Sequence, residues 1–378
     1  MLKTPMVWAK TVRIAFTELI QMAEHPMADL RRKLHAAGLL AKPAGKSWSK
    51  VIFLFIIVGG LIYTHTQITL IPGLIILPIT ALFATTLAMT AHEGIHSSAC
   101  NSKWGNLSLA GLVFPLFSGM SMEYWRVKHN IKHHAHPNVI DKDPDIYAWP
   151  ITFTQEEYES SGFIRKFFQK HIQAWVFWPI SLLVGHLLRW DGIRYLMTHP
   201  FISKKNHRFS KIWLADTSLI IIHFYLWLIL PVQLGMPWQS VIGFYVLLWA
   251  LVGTMLTGIF IVGHAGRPIV VEYDKNWRLQ IETARRIKFG PIGSFFFVGL
   301  DYQIEHHLLP ALSHFNLPKA APLVKEYAEE RGWEYEEVRF IPALWSSTMA
   351  LKNAWKTPSV VIDTTIEANA NMVEDLSH

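Results

Sequence analysis

The sequence predicts an all-α integral membrane protein, with four transmembrane helices in two hairpins, interfacial helices beside them, and a cytoplasmic helical cap around a histidine-rich site. Three observations predict it. The chain of 378 residues is 51% apolar and only 17% charged. Four of its apolar runs approach the roughly 20 residues that a helix needs to cross a bilayer. Its histidines gather in tight clusters beside those runs rather than scattering along the chain.

From the N-terminus, residues 1–50 read as a cytoplasmic or interfacial arm. The stretch Val7–Leu40 has mixed amphipathic helix character with basic positions at Arg31, Arg32 and Lys33, which suits a helix lying on a membrane surface. No short charged-then-apolar pattern of a cleaved signal precedes the first span, so that span is expected to act as its own insertion signal. Residues 51–270 read as the transmembrane unit. Val51–Ile71 and Gly73–Met89 form the first hairpin, and Ile212–Val232 and Gln239–Val262 the second. Two weaker runs fall short of a span. Leu107–Met120 is broken by Gly111, Pro115 and Gly119, and Ala174–Leu188 carries Pro179, Gly185 and His186, so both read as re-entrant or interfacial segments. Residues 271–378 read as the cytoplasmic cap. There Leu317–Arg331 is rich in helix formers, and the tail after Trp355 is polar, without periodicity, and expected to be mobile.

Charge orients these elements. The turns Thr64–Gly73 and Val232–Gln239 contain no Lys or Arg, whereas the connection through Arg189, Arg194, Lys204, Lys205, Arg208 and Lys211 is strongly basic. By the positive-inside rule the turns face outward and the basic connection faces the cytoplasm. With four spans, every histidine cluster then reaches one face; promoting a single weak run to a span would part them. The net charge of +7 and pI near 9.3 fit topological anchoring and anionic lipid heads. No nucleic-acid motif accompanies them. Trp48, Trp104, Trp125, Trp190, Trp213 and Trp238 fall near span ends, as interfacial anchors do. A single cysteine, Cys100, excludes an internal disulfide and a cysteine-rich metal site.

The clusters carry the chemistry. His92 and His96 stand in AHEGIH, His129, His133 and His134 in KHNIKHH, and His306 and His307 in QIEHH, while His264 closes the last apolar run. His92/His96, His129/His133 and Gln303/His307 are i,i+4 pairs, so on α-helices each pair faces one way. Neutral imidazole suits iron, copper and zinc, and this many imidazoles imply more than one metal. Two rivals exist. HEGIH fits the zinc-peptidase pattern in which Glu93 activates water, but that reading leaves the other clusters idle. A metal transporter needs polar residues along a route inside the spans. Only His65, His186 and His223 lie in or beside the spans, and they read as hydrogen-bonded or interfacial histidines.

The stretches HEGIH, WRVKHNIKHHAHPN with DKDPDI after it, and VGLDYQIEHHLLPALSHFNLPKAAPLVKEYAEERGWEYEE resemble the three histidine boxes of the membrane fatty acid desaturases, from about the first span to Val338. The third stretch is similar to that of front-end desaturases, which carry Gln where other members carry the first His of the box; here it is Gln303. Asp301 departs from the Asn usual in such members. The resemblance implies two non-haem irons held by His92, His96, His129, His133, His134, His306 and His307, with His264 as a further ligand and Gln303 at a ligand position. It also implies an oxidoreductase that uses O2 to place a cis double bond in an acyl chain linked to lipid, coenzyme A or carrier protein. A related di-iron hydroxylase or acetylenase would use the same ligands. Asp141, Asp143, Asp145, Glu93, Asp301 and Glu305 are candidates to accept the imidazoles' other N–H groups, with Asp301 and Glu305 favoured by adjacency.

Many front-end members also carry a fused cytochrome b5 with a His-Pro-Gly-Gly motif. The His-Pro pairs here (at His25, His136 and His199) lack the glycines. Electrons are therefore expected from a separate ferredoxin or free cytochrome b5 with its reductase. Its expected dock is a basic surface formed by Lys204, Lys205, Arg208, Lys211, Arg285, Arg286 and Lys288. The membrane would be a bacterial inner membrane or one of endoplasmic-reticulum type, with the active site toward the cytoplasm.

Overall fold

The computed structural model describes residues 27–199, 210–273 and 277–362. The start of the expected arm, the end of the tail, and Lys204, Lys205 and Arg208 lie outside them. Four helices are long and apolar enough to cross a membrane: α2 (Ala44–Gln67), α3 (Leu70–Ile95), α9 (Lys211–Gln233) and α10 (Trp238–His264). They form the two expected hairpins. Their outward side chains, among them Ile56, Ile75 and Ile221, are exposed and apolar, as lipid-facing positions are.

The helix ends differ from the hydropathy limits in one respect that matters. α3 continues through Met89 to Ile95, and α10 ends on His264 itself. Histidine and glutamate lower hydropathy, yet the helix continues through them because the polar side chains find buried partners, and Gly94 lets the chain at Asn106 approach closely, since a Cβ on Gly94 would stand 2.6 Å from the Asn106 carbonyl oxygen. His92 and His264 therefore ride on the last turns of rigid spans rather than on loops beyond them.

Between the hairpins, α4 (Lys103–Ser118) and α5 (Met122–His133) meet at 114° and do not make a straight span, in keeping with the re-entrant reading. Ser102 caps α4 by accepting from the Gly105 amide, and Ser121 caps α5 through Tyr124. From Leu112 α4 widens into a π-helix around Pro115, which has no N–H to donate. α6 (Phe163–His171), α7 (Gln173–Ser181) and α8 (Val184–Thr198) follow, each too short to span. α6 leaves Phe163 and Ile164 exposed beside Lys166 and Lys170, the pattern of an interfacial helix.

After α10 come α11 (Gln303–Leu308), α12 (Leu317–Glu329) and α13 (Phe340–Asn353). The all-α expectation needs one refinement. Two parallel two-stranded pairs join distant segments: β1 (Val270–Tyr273) with β4 (Val360–Ile362), and β2 (Arg286–Lys288) with β3 (Glu337–Arg339). Val360–Ile362 of the tail are thus ordered, because β4 gains backbone partners that periodicity alone does not reveal. Near the other end, α1 (Ala28–Ala36) buries Leu30 and Leu34 in one apolar cluster with Ile304, Leu308 and Val324, and Lys33 reaches Glu326 at 3.0 Å.

A larger core, including Leu54, Leu87, Val113, Trp249 and Leu256, binds the spans together. α8 crosses α10 at backbone contact, since a Cβ on Gly253 would stand 2.3 Å from the Gly185 nitrogen. Gly253→Leu should therefore cost about 3 kcal/mol of stability. Gly258→Leu, on the same helix with no neighbouring atom within 4 Å, should leave thermal unfolding in detergent nearly unchanged.

Candidate metal centre

The imidazoles named from the sequence converge where α3, α5, α10 and α11 meet. They divide into two buried groups, each with ligand atoms mutually within 4.8 Å: His92, His96, His129, His134 and His306, and then His133, His264 and His307. The i,i+4 pairing expected for α5 holds: the His129 and His133 rings stack with centroids 5.3 Å apart, and their ligand atoms lie within 4.8 Å of each other and of an Asp145 oxygen. Arg126–His133 is π-helical, and the His134 amide bonds the His129 carbonyl at 2.9 Å. The wider turn puts His129 and His134 in the first group, while His133 sits in the second. His133 and His134 at the end of α5, like His306 and His307 on α11, are thus neighbouring histidines that join the two groups one each.

The atoms fit metal ions. His129 Nε2 lies 2.8 Å from His92 Nε2 and 3.1 Å from His134 Nε2. Where the three rings carry their protons on Nδ1, their Nε2 lone pairs face one another and one cation can take them up. His96 Nε2 and His306 Nε2 are buried without a hydrogen-bond partner among the described residues. Burial and the neighbouring imidazoles hold His134, His306 and His307 well below the usual histidine range, so these rings are neutral and their lone pairs free. Such a set suits divalent first-row metals.

In the second group the opposite nitrogens are committed. His133 Nδ1 lies 3.0 Å from both oxygens of Asp143, His264 Nδ1 donates to the Thr283 carbonyl at 3.0 Å, and His307 Nδ1 faces Gln280 Oε1 at 3.3 Å. Each bond fixes a tautomer with the lone pair on Nε2, as metal-binding imidazoles require. Burial works against protonating His133, but Asp143 and Asp145 outweigh it and raise its affinity for protons. Gln303 Nε2 stands 2.9 Å from His264 Nε2 and 3.3 Å from His307 Nε2, and its Oε1 is buried without a partner. A half-turn of that amide would direct the oxygen at the same point.

Of the acids proposed from sequence, only two lie against an imidazole of the site. Asp143 does so squarely, and Asp145 Oδ2 reaches His133 Nδ1 at 3.5 Å while its other oxygen pairs with Lys128. Glu93 turns away from the centre to His314 Nδ1, at 2.7 Å, and to the Ser313 hydroxyl. The acids favoured by adjacency point elsewhere: Asp301 accepts from Ser294 and Glu305 from Tyr335. Burial pushes their carboxyls up to about 6 and about 7. Asp141 is exposed, with φ of 62°. For Glu93 and Glu305 the helix phase explains this, because a residue adjacent to a ligand on a helix projects about 100° away from it; Asp301 and Asp141 lie in turns outside the helices. Gln280 and Thr283 had no signal in the sequence; tertiary packing alone delivers them.

Two further expectations change. Trp125 is buried, stacked on His129 with ring centroids 5.1 Å apart, and is no interfacial anchor. Arg285 is buried too. Its Nε donates to Val262 O at 2.6 Å and its Nη2 to Ala265 O at 2.7 Å, capping the end of α10 that bears His264. It cannot form part of a docking surface, and Arg286 is half-buried against Glu337 at 2.7 Å. Lys288 remains exposed. His65, His186 and His223 are hydrogen-bonded, as expected, to Thr80, the Val246 carbonyl, and Tyr245 with the Leu116 carbonyl.

A family described as "Fatty acid desaturase" matches residues 68–339. The chain is 26% identical over 285 residues to an acyl-lipid (9-3)-desaturase of Physcomitrium patens, covering 69% of this chain and 49% of that protein. It is 26% identical over 261 residues to an sn-1 linoleoyl-lipid 6-desaturase of Arthrospira platensis, covering 65% and 67%. It is 24% identical over 336 residues to a Delta(5) fatty acid desaturase of Caenorhabditis elegans, covering 86% and 72%. The chain thus spans between about half and three quarters of these relatives' lengths.

Asp143→Asn should weaken metal binding about 10- to 100-fold, the usual effect of removing the group that orients a ligand. Metal content after dialysis against a graded chelator measures it; unchanged retention would mean that Asp143 does not tune His133.

Proposed function

Since this chain belongs to the fatty acid desaturase family, we propose that it is an O2-dependent acyl desaturase of front-end regioselectivity, acting at two non-haem irons held by the two histidine groups. The observation that supports this best is the pair of buried imidazole groups, with Gln303 seated between His264 and His307. His92, His96, His129, His134 and His306 would hold one iron, and His133, His264 and His307 the other, with Gln303 beside it. When bound, the irons supply the oxidising power for breaking unactivated C–H bonds, which no side chain possesses.

The chain's own residues supply placement and dryness. A cavity of about 560 Å³ runs from His133 and His264 between the apolar side chains of Phe177, Leu188, Leu256 and Phe260. Its walls suit an acyl chain, and its size is that of an ordinary ligand pocket. Trp125 and Phe260 line it beside the imidazoles and would keep water from the reacting carbons. Lys128 and Arg267 stand on the same lining, paired with Asp145 and with Glu334 and Glu336, and would meet an anionic head group only by exchanging those partners.

The rival readings lack such support. A zinc peptidase needs Glu93 free to activate water, but Glu93 is engaged by His314 and Ser313. A transporter needs polar groups in file, whereas His65, His186 and His223 each bond locally.

Expression in a host that lacks such products, with location of new double bonds in total fatty acids by mass spectrometry, tests the activity. New front-end cis double bonds are expected; a hydroxyl or triple bond instead would reassign the outcome. The purified protein should bind about two irons per chain, and His133→Ala or His307→Ala should abolish activity while the protein stays in the membrane. Full activity of His307→Ala would remove that residue from the site.

Desaturation with O2 consumes two electrons beyond those of the substrate, and one cysteine cannot build an iron–sulfur cluster. A ferredoxin or a cytochrome b5 with its reductase would supply them at the cytoplasmic face. Turnover with such a carrier should fall steeply as salt rises, because attraction is screened over about 8 Å at physiological ionic strength. Sustained turnover with NADPH and O2 alone would refute the requirement. For orientation, single cysteines at Gln67 and Gly235, with Cys100 replaced, should react with an impermeant thiol reagent from outside, and cysteines near His129 and His306 should not. The reverse pattern would invert the topology.

A further inference from the structure

We propose that Asp216, a carboxylate inside the third spanning helix, is a positioning residue that sets the direction of α5 and thereby brings His129, His133 and His134 to the histidines of α3, α10 and α11. This rests on the metal-binding reading above. Nothing in the sequence ties Asp216 to the histidine boxes, and it lies between apolar stretches of α9.

Asp216 is fully buried. A carboxylate removed from water costs several kcal/mol unless it is paired or well hydrogen-bonded, so its partners identify its work. Oδ1 accepts from the Met122 amide at 3.1 Å, while Oδ2 accepts from the Glu123 amide at 3.1 Å and from the Ser121 hydroxyl at 2.7 Å. These are the first amides of α5, which have no partner within the helix, and negative charge is stabilised there by the helix dipole. Ser121 alone would cap the helix and leave its axis free to swing. Two oxygens on two successive amides, delivered from another element, fix both where α5 begins and which way it points.

The other side of the bend is held with equal care. Arg189 Nε donates to the Ser118 carbonyl at 2.6 Å and Nη1 to the Gly185 carbonyl at 2.7 Å, while its guanidinium lies over Trp249 at 4.1 Å. Gly119 turns the chain with φ of 69°, and a Cβ there would stand 2.6 Å from the His223 ring. The end of α4 is thus fastened to α8 and α9, and the start of α5 to α9.

Leverage makes the direction matter. From Met122 to His133 a helix of this length runs about 16 Å, so a tilt of about 10° at its start displaces the far histidines by about 3 Å. Metal ligands tolerate about 0.5 Å. A loosened start of α5 would leave the membrane core intact and scatter the three ligands it carries.

The test compares Asp216→Ala with Ile220→Ala, a cavity-forming change at a buried position one turn further along the same helix. Full-length proteins in detergent would be titrated anaerobically with Fe²⁺, examined with Co²⁺ as an absorption probe of ligand geometry, and followed by hydrogen exchange over residues 119–134. Asp216→Ala should bind Fe²⁺ at least about tenfold more weakly, shift the Co²⁺ bands and speed exchange in that segment. Ile220→Ala should lower the melting temperature with none of these effects. Asp216→Asn, which keeps one acceptor, should fall between, and together with Ser121→Ala it carries the comparison if the alanine variant does not fold. Wild-type Fe²⁺ affinity with an unchanged Co²⁺ spectrum in Asp216→Ala, or in both milder variants, would overturn the role. If the wild-type chain binds no iron while exchange at 119–134 still rises in the variant, the metal-centre reading fails, and Asp216 is left as a helix cap only.

Discussion

Eight imidazoles packed within ring contact of one another constrain everything around them. Were they charged, their mutual repulsion in a dry site would drive the helices apart; neutral, they present a surplus of lone pairs that water cannot reach. The arrangement asks the surrounding structure to fix each ring, and it suits a cation that takes up the lone pairs. That demand explains why the ligand-bearing positions lie on the last turns of α3 and α10 and on the short helices α5 and α11, since elements of this kind hold side chains more tightly than loops do.

The same demand explains the polar groups buried elsewhere. Arg285 ties the end of α10 to Ser346 and Ser347 of α13, at 2.9 Å each. Thr283, two residues earlier, receives the His264 N–H. One short segment therefore orients both the helix end and the ring it carries. Arg189 and Asp216 do for the bend between α4 and α5 what Arg285 does for α10. In each case a charged side chain satisfies backbone groups at a helix terminus that would otherwise be buried without partners. Single buried charges in a membrane protein are costly, so their use at helix ends next to the histidines marks where geometry has to be held.

The two histidine groups are not equivalent. The second has its outer nitrogens committed to Asp143, Thr283 and Gln280, and it borders the apolar cavity. Gln303 also belongs to it. In the first group His96 and His306 meet edge to face at 4.8 Å.

What the sequence by itself determined was whatever depends on local pattern. Apolar runs of spanning length gave four helices, Gly111, Pro115 and Gly119 gave the broken segment, and the repeated histidines gave the site, because each is encoded within a few turns of chain. The direction in which a side chain points over a longer reach was decided only by the tertiary structure. Glu93, Asp301 and Glu305 sit beside ligands in sequence yet turn to His314, Ser294 and Tyr335. Gln280, Thr283 and Asp216 reach the histidines or their helix from segments with no motif at all. Likewise the group that each of His133, His134, His306 and His307 joins depends on the directions of α5 and α11, which packing against distant segments fixes.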